Sequence, residues 1–216
     1  MRIVDLPTVT VHRTSVSEMD NRCYVLTSRA TGAQVLVDAA DDAPALRGLL
    51  AEAAGDRAPD LRAVVTTHRH WDHVRALAEL AGGDGVVAHG GVEDAAAIEE
   101  EAGLPAGTVR SLAHGEVLEV EDLALEVVAL RGHTPGSVAL VLRDGNEVHL
   151  FTGDSLFPGG VGRTWSSQDF EQLLDDVTER LFGRFDDAAH VHPGHGDPTT
   201  LGAERPQLGQ WRERGW

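Results

Sequence analysis

Short apolar runs separated by turn residues open the chain and predict paired strands. Apolar and polar positions alternate around Val9 and Val11, which is the period of a half-buried strand. Two further apolar runs, at residues 23–28 and 33–38, are separated by Ala, Thr and Gly at residues 30–32. A turn between two runs of this length predicts a β-hairpin.

Segments of helical periodicity then alternate with apolar runs. Leu46, Leu49 and Leu50 recur at the spacing of one helix face, in a segment that begins near Asp41 and ends at Gly55. Four more elements are predicted in turn: strand 63–67, helix 73–80, strand 85–89 and helix 92–102. Alternation of this kind is typical of a layered α/β domain.

In the second half of the chain, predicted strands follow one another directly. Four apolar runs are separated by short turns, at residues 117–120, 123–130, 137–142 and 148–151. Ser166 or Ser167 can cap a helix that is apolar on one face, and a last strand is expected at residues 188–191. Strands grouped in two halves, each with helices, predict two packed sheets with helices outside, in a single domain over residues 1–216.

Composition narrows the range of partners. The net charge of −17 argues against a nucleic-acid backbone or an anionic membrane as the main partner. The single cysteine, Cys23, excludes an internal disulfide and a thiolate-rich zinc site, and we expect it to be a core residue. One cysteine also indicates a reducing compartment, and no apolar run approaches the length of a membrane span. We therefore expect a cytoplasmic protein that acts on a small molecule.

A cluster of metal-ligating side chains follows the strand predicted at residues 63–67. His68, His70, Asp72 and His73 stand within six residues. Imidazole nitrogens and carboxylate oxygens are the ligands of zinc and similar divalent ions. Side chains two residues apart in an extended loop face the same way, so His68 and His70 can converge on one ion. Four ligands this close together are hard to place around one tetrahedral centre, which indicates two adjacent ions.

Three later segments carry further candidate ligands at the ends of predicted strands. His133 lies in a Gly/Pro turn after the strand at residues 123–130, and Asp154 follows the strand at residues 148–151. His195 lies between two glycines after the last predicted strand. Glycine beside a ligand allows the backbone to approach closely without strain from a Cβ atom.

Together these segments resemble the metallo-β-lactamase fold superfamily. Residues 68–73 match its HxHxDH motif, and the segments around His133, Asp154 and His195 occur in the order typical of its glyoxalase II group. The resemblance covers roughly residues 20–205 and implies an α/β fold, a four-layer αβ/βα sandwich of two mixed sheets flanked by helices. About 20 residues follow His195, too few for the C-terminal helical domain of glyoxalase II, so we expect a short form.

The resemblance also implies a ligand set and a mechanism. Two divalent ions would be held by seven side chains: His68, His70 and His133 on the first, Asp72, His73 and His195 on the second, and Asp154 on both. Zinc is the expected metal, with iron or manganese as alternatives. A metal-bridged hydroxide would attack the carbonyl of a thioester, as in hydroxyacylglutathione hydrolysis, and Asp72 would also orient it.

Other functions are consistent with the same motifs. A persulfide dioxygenase would hold one iron through His68, His133 and Asp154 and act on the persulfide of a small thiol. A lactonase or a β-lactamase would act on a different carbonyl, and a non-enzymatic scaffold would keep metal for stability alone. Among these, we expect the hydrolase, with a small anionic thioester as its substrate.

Two residues near the motifs are candidates for substrate contacts. Arg163 can bind a substrate carboxylate or form a structural ion pair. Trp71 stands where the family has a small residue, and it can wall the pocket or serve in packing. Residues 211–216 can pack back on the domain or contact a second subunit. The remaining histidines are expected to be surface residues outside the site: His12, His89, His114, His149, His190 and His192.

Overall fold

A mixed seven-stranded sheet is formed by the first half of the chain, in a computed structural model that describes residues 1–83 and 85–215. Its strands are neighbours in chain order: β1 (Arg2–Asp5), β2 (Val9–Val16), β3 (Asn21–Ser28), β4 (Ala33–Val37), β5 (Asp60–Thr66), β6 (Val87–Gly91) and β7 (Val109–Leu112). Neighbouring strands are antiparallel from β1 to β4 and parallel from β4 to β7. The predicted hairpin is confirmed as β3 and β4.

A mixed six-stranded sheet is formed by the second half. Its strands are β8 (Val117–Val120), β9 (Leu123–Ala129), β10 (Val138–Asp144), β11 (Glu147–Gly153), β14 (His190–Pro193) and β15 (Thr199–Thr200). Two further strands, β12 (Leu156–Phe157) and β13 (Gly160–Val161), lie outside this sheet. The order across the sheet is β15-β14-β11-β10-β9-β8, while β12 and β13 form a separate hairpin. Strand β14 is parallel to β11, so the connection between them must cross over the sheet.

Helices cover the outer faces of both sheets. They are α1 (Ala43–Ala54), α2 (Leu77–Ala81), α3 (Ala95–Ala102), α4 (Ser167–Val177), α5 (Leu201–Glu204) and α6 (Leu208–Arg214). Asp42 caps α1 by accepting from the backbone N–H of Ala45 at 3.1 Å, and Ser166 caps α4 by accepting from Asp169 at 3.1 Å. The capped starts agree with the starts predicted from the sequence.

Three apolar clusters hold these layers together. The first lies between the two sheets and includes Tyr24 and Phe151. The second packs α1, α2 and α3 on the first sheet, and the third packs α4 and α6 on the second sheet. The order helices, sheet, sheet, helices confirms the predicted αβ/βα sandwich. Cys23 is fully buried in the second cluster, where burial raises the pKa of its thiol, as expected for a core residue.

The helix predicted at residues 73–80 is wrong in its first half. A 3₁₀ turn covers Trp71–His73, and α2 begins only at Leu77. The backbone N–H of Ala76 donates to the carbonyl of Ala39 at 3.0 Å, not to a carbonyl one helical turn earlier. This long-range contact separates the turn from the helix and leaves the side chains of residues 72 and 73 free to face inward.

Four histidines and one tryptophan of the C-terminal segment are buried. His12, His89, His149 and His192 are buried, which corrects the prediction that they are surface residues. Trp211 is fully buried against Phe182 and packs back on the domain, whereas Trp216 lies outside the described residues. None of the helices within the described residues has both the length and the apolar composition that a bilayer span requires.

Candidate metal centre

All seven side chains that the sequence predicts as ligands meet at one end of the sandwich. Each follows the end of a strand: His68, His70, Asp72 and His73 follow β5, His133 follows β9, Asp154 follows β11 and His195 follows β14. The two sheets are also joined here, by a backbone bridge between Asn21 and His195. Strand ends from both sheets thus supply one cluster.

The seven side chains form three overlapping groups, each with its potential ligand atoms within 4.8 Å of one another. The groups are His68, His70 and His133; His68, His73 and Asp154; and Asp72, His73 and His195. The first and third groups coincide with the two ligand sets implied by the resemblance. The middle group joins them, so the geometry accommodates adjacent ions.

Asp154 lies between the two outer groups. Its Oδ1 is 3.5 Å from Nε2 of His73, and its Oδ2 is 3.4 Å from Nε2 of His195 and 3.8 Å from Nε2 of His133. Oδ1 is buried and makes no hydrogen bond within the described residues. A buried carboxylate oxygen without a donor is costly unless a cation lies beside it.

Four of the histidine rings are oriented by hydrogen bonds at their outer nitrogen. Nδ1 of His73 is 2.9 Å from Asp38, and Nδ1 of His133 and His195 are 2.7 Å and 2.8 Å from backbone carbonyls. Nδ1 of His68 is 3.1 Å from the hydroxyl of Thr67, whose own proton goes to Asp38. In each neutral ring the proton is therefore on Nδ1 and the lone pair is on Nε2, which faces the centre.

The inner nitrogens then lie too close together for a site without a cation. Nε2 of His68 is 3.3 Å from Nε2 of His133, and Nε2 of His73 is 3.2 Å from Nε2 of His195. Two lone pairs at this distance repel each other unless a proton or a metal ion lies between or beside them. Neutral imidazoles with carboxylates are the donor set that zinc, iron and manganese accept, so these residues fit divalent metal.

Burial and neighbouring charges divide the histidines by pKa. Burial, together with the surrounding rings, holds the pKa of His68 well below its usual range, and burial lowers the pKa of His70 to about 4. Burial also opposes protonation of His73, but the carboxylates of Asp38 and Asp154 outweigh it and raise its pKa to about 9. The negative potential that retains a proton on His73 would equally attract a metal cation in its place.

The sequence did not single out two polar residues that hold the ligands in place. Asp38 accepts hydrogen bonds from the backbone and the hydroxyl of Thr67 at 2.7 Å and 2.9 Å, in addition to the one from His73. Asn21 donates from its amide to Oδ2 of Asp72 at 2.9 Å. Asp38 directly follows the buried strand β4, and a carboxylate at the end of such a strand is the signal that could have identified it.

Glycine is required where the last ligand turn meets the cluster. A Cβ on Gly194 would be 2.3 Å from Oδ1 of Asp154 and 2.9 Å from Cε1 of His73. These separations are well inside van der Waals contact, so a larger residue would displace the carboxylate or the imidazole. The close approach predicted from the glycines beside His195 is confirmed at this position.

A pocket of about 260 Å³ lies beside the first ligand group. Its lining is Arg69, His70, Arg131, Gly132, His133, Pro135, Trp165 and Asp169. The two predicted substrate residues, Arg163 and Trp71, are not in this lining. Arg163 stacks over the ring of Trp165 at 4.5 Å, and no carboxylate of the described chain lies within 4.0 Å of its guanidinium. Trp71 is 44% exposed and is covered on one face by Arg75 at 4.0 Å.

Known proteins resemble this chain in sequence. Hydroxyacylglutathione hydrolase GloC of Haemophilus influenzae is 32% identical over 161 residues, which span 68% of this chain and 74% of that protein. Hydroxyacylglutathione hydrolase of Anaeromyxobacter dehalogenans is 37% identical over 178 residues, which span 82% of this chain and 61% of the relative. Some other hydroxyacylglutathione hydrolases are aligned over only 51% of their length.

Solved structures share the fold. ETHE1 from Myxococcus xanthus is 28% identical in sequence and has a TM-score of 0.74, with 90% of this chain and 81% of that chain covered. The family model described as the Metallo-beta-lactamase superfamily matches residues 18–195, a range that includes all seven candidate ligands. The chain therefore belongs to the Metallo-beta-lactamase superfamily.

Proposed function

We propose that the chain is a metal-dependent hydrolase of thioesters, the reaction type named in its hydroxyacylglutathione hydrolase relatives. The observation that carries this proposal is the set of three overlapping ligand groups with Asp154 between them. Two adjacent positions of this kind suit two divalent ions, and zinc is the proposed metal because neutral imidazoles dominate the donor set. The substrate is proposed to be a small molecule.

Each ligand has a proposed place. His68, His70 and His133 would hold the first ion, Asp72, His73 and His195 the second, and Asp154 would contact both. Divalent ions bound there supply a water of lowered pKa as nucleophile and polarise the carbonyl that it attacks. The hydrogen bonds at Nδ1 keep the four rings aimed at the centre, so the ligands need little reorganisation when metal binds.

Asp72 has a second proposed role, which is to orient the attacking water. Its Oδ2 is fixed by the amide of Asn21 at 2.9 Å and lies 3.4 Å from Nε2 of His195. A carboxylate held in this way can accept a proton from a water on the reactive side of the centre. Asp72→Asn should lower the hydrolysis rate by more than any loss of metal accounts for. Full metal content with an unchanged rate would contradict this role.

Metal analysis paired with a hydrolysis assay tests the function. Protein purified without chelators should contain about two metal equivalents and should hydrolyse thioesters such as S-lactoylglutathione. His68→Ala should lose both properties, whereas His190→Ala, a change at a half-buried histidine outside the centre, should retain them. If the loaded protein leaves thioesters, lactones and β-lactams all intact, the proposed hydrolase function is wrong.

Similarity to the solved ETHE1 structure favours a second candidate function, an iron-dependent persulfide dioxygenase. His68, His133 and Asp154 would then be the two-histidine, one-carboxylate set of a single iron. Metal content separates the two candidates. One iron per chain with oxygen consumption supports the dioxygenase, and two zinc ions with thioester cleavage support the hydrolase.

A further inference from the structure

The pocket beside His70 and His133 contains an arginine whose guanidinium makes no hydrogen bond to the described residues. Arg69 stands between two candidate ligands in the sequence, and its side chain lines the pocket. Its Nε is 3.9 Å from Oδ1 of Asp94, beyond hydrogen-bond distance. Within the described residues its guanidinium donates no hydrogen bond, so all five of its N–H groups remain for solvent or a ligand.

Asp94 is already occupied by other donors. It is fully buried, and it accepts from the backbone N–H of Arg69 at 3.1 Å and of Gly136 at 2.9 Å, and from the hydroxyl of Thr134. These bonds fix the backbone that carries Arg69, while the guanidinium itself extends into the pocket. Arg69 is thus a cation next to the metal centre that forms a loose ion pair with Asp94 at 3.9 Å and keeps its N–H donors available.

The second arginine of the pocket differs in this respect. Arg131 forms a bidentate pair with the buried carboxylate of Asp176, at 2.9 Å from Nε and 2.8 Å from Nη2. Asp169, the carboxylate in the lining, accepts a hydrogen bond from Ser166 at 2.7 Å. Arg131 is therefore held in place by Asp176. Arg69 is the arginine of the lining whose N–H groups have no acceptor among the described residues.

An aromatic wall completes the pocket at its mouth. Trp165 is 64% exposed, and the guanidinium of Arg163 covers its ring at 4.5 Å. An aromatic ring beside a pocket offers apolar contact area to a bound ligand. The pocket volume of about 260 Å³ is slightly below the ~300–1,000 Å³ usual for drug-sized ligands, so it suits a small group.

We propose that this pocket binds a carboxylate of the substrate and that Arg69 is the residue that binds it. The planar guanidinium can donate two parallel hydrogen bonds to a carboxylate, and a chain with net charge −17 would otherwise repel such a substrate. The inference rests on the proposed hydrolysis and narrows it to thioesters that carry a carboxylate close to the reacting carbonyl. It also assigns to Arg69 the role that the sequence suggested for Arg163.

Kinetics with three thioester series test this inference. One series is neutral, one carries a carboxylate on the acyl portion (a succinyl thioester of a neutral thiol), and one carries it on the thiol (an acetyl thioester of mercaptoacetate). Arg69→Gln should raise KM about 10- to 100-fold for at least one anionic series, with kcat nearly unchanged and the neutral series unaffected. Arg69→Lys should restore part of the loss.

A matched control is Arg62→Gln, which removes an exposed arginine from β5, far from the ligands and paired with Asp60 at 2.8 Å. It should leave all three series unchanged. The series that responds identifies which portion of the substrate carries the carboxylate. An equal effect of Arg69→Gln on neutral and anionic esters, or no effect on any, would overturn the inference.

A binding measurement keeps the inference separate from the proposed reaction. A thioether analogue bearing the carboxylate, which cannot be hydrolysed, is titrated calorimetrically into metal-loaded protein. The dissociation constant should be about tenfold or more weaker for Arg69→Gln than for the wild type and Arg62→Gln. Equal binding by the three proteins, or no binding to the wild type, would overturn the carboxylate site even if thioesters are hydrolysed. Specific binding without hydrolysis would contradict the proposed reaction alone.

Discussion

At one end of the sandwich, five histidines gather with two aspartates, and between the sheets three further histidines stack on one another. This stacked cluster consists of His149, His190 and His192. Its ring centroids are 4.8 Å apart between His149 and His190 and 5.3 Å apart between His149 and His192. In the metal centre, the rings of His68 and His133 are 4.7 Å apart. Ring spacing alone therefore does not distinguish the two clusters.

Hydrogen bonding distinguishes them. In the stacked cluster Nδ1 of His149 is 3.0 Å from Nε2 of His192, so these two rings are partners of each other. The other nitrogen of each of these rings is buried without a hydrogen bond in the described part of the chain. The nearby carboxylate, Glu147, lies 3.7 Å from the half-buried His190 and forms no hydrogen bond with the buried pair in the described part of the chain. In a metal centre, one ring nitrogen bonds an acceptor while the other faces carboxylates and the ion. The buried pair of the stacked cluster has neither arrangement among the described residues.

Loss of a ligand should have the largest effect and should separate the clusters most clearly. His68→Ala or Asp154→Asn should remove at least one metal equivalent and lower hydrolysis on the order of 10²- to 10³-fold or more, because electrostatic stabilisation of the reacting carbonyl is lost. His149→Ala should keep both. Metal analysis and steady-state kinetics provide the measurement. Loss of metal in His149→Ala would break the distinction.

Crowding of the centre should have the next largest effect. Gly194→Ala would place a Cβ 2.3 Å from Oδ1 of Asp154, so this carboxylate must move. We expect loss of metal and a decrease of about 1–3 kcal/mol in the free energy of unfolding, as for overpacking in a well-packed region. Denaturant unfolding checks this.

The matched control for this crowding is Gly48→Ala in α1. A Cβ on Gly48 would meet no atom within 4 Å, and alanine is the better helix former by roughly 0.5–1 kcal/mol. This variant should therefore be as stable as the wild type or slightly more stable, with full metal content. If Gly194→Ala behaves in the same way, the close approach at Gly194 is not a requirement of the site.

Removal of an acceptor behind the rings should have an intermediate effect. Asp38→Asn keeps the shape but removes the charge that faces Nδ1 of His73 and the hydroxyl of Thr67. Metal affinity should fall about 10- to 100-fold, the range found for outer partners of metal-ligating histidines. Competition with a chelator measures this. Asp122→Asn, an exposed carboxylate that bonds Ser28 and Thr31, should leave the affinity unchanged.

The pH dependence of the stacked cluster should be the smallest effect. Burial, reinforced by the neighbouring rings, lowers the pKa of His149 to about 4 and of His192 to about 3. The usual pKa of 6.5 applies in the unfolded chain, so below that pH the unfolded state binds more protons than the folded state. The contribution of the two neutral rings to the free energy of unfolding is therefore complete above pH 6.5. It is lost progressively as the pH falls towards 4.

Thermal melting of chelator-treated protein at pH 7 and pH 5 measures this loss. His192→Phe removes the titrating ring from a site already lined by Tyr24 and Phe151. The melting temperature should fall less for this variant than for the wild type, by roughly 2–4 °C for each kcal/mol of protonation cost removed. Equal losses in the two proteins would mean that the stacked cluster does not contribute to acid destabilisation.

The convergence of the candidate ligands could be predicted from the sequence because their positions are set by local geometry. Each stands at the end of an apolar run, beside glycine or proline or within a short motif, and strand ends on one side of a sheet meet in space. Asn21 could not be predicted in this way, and the position of Asp38 at a strand end does not reveal which side chains it contacts. Their contacts depend on which strands are neighbours, with β4 placed parallel to β5 and β3 joined to the turn at His195.

Other parts of the fold were also decided by tertiary contacts. The break between the 3₁₀ turn and α2 follows from the hydrogen bond of Ala76 to Ala39, which helical periodicity cannot reveal. The burial of His149 and His192 follows from strand alternation, because Leu150 and Val191 face α4 while the histidines face the other sheet. Both faces of this sheet are covered, so a polar side chain on one of its strands can be buried on either face.

The bridge between Asn21 and His195 has a mechanical consequence. Together with the hydrogen bond from the backbone of Arg22 to the carbonyl of Gly194 at 2.7 Å, it fastens the two sheets at the end where the ligands converge. A metal ion held by His73 and His195 would therefore act as a cross-link between the two halves of the chain. A cross-link over such a long loop restricts the unfolded ensemble far more than the folded one. Bound metal would therefore stabilise the folded sandwich in addition to its proposed role in the reaction.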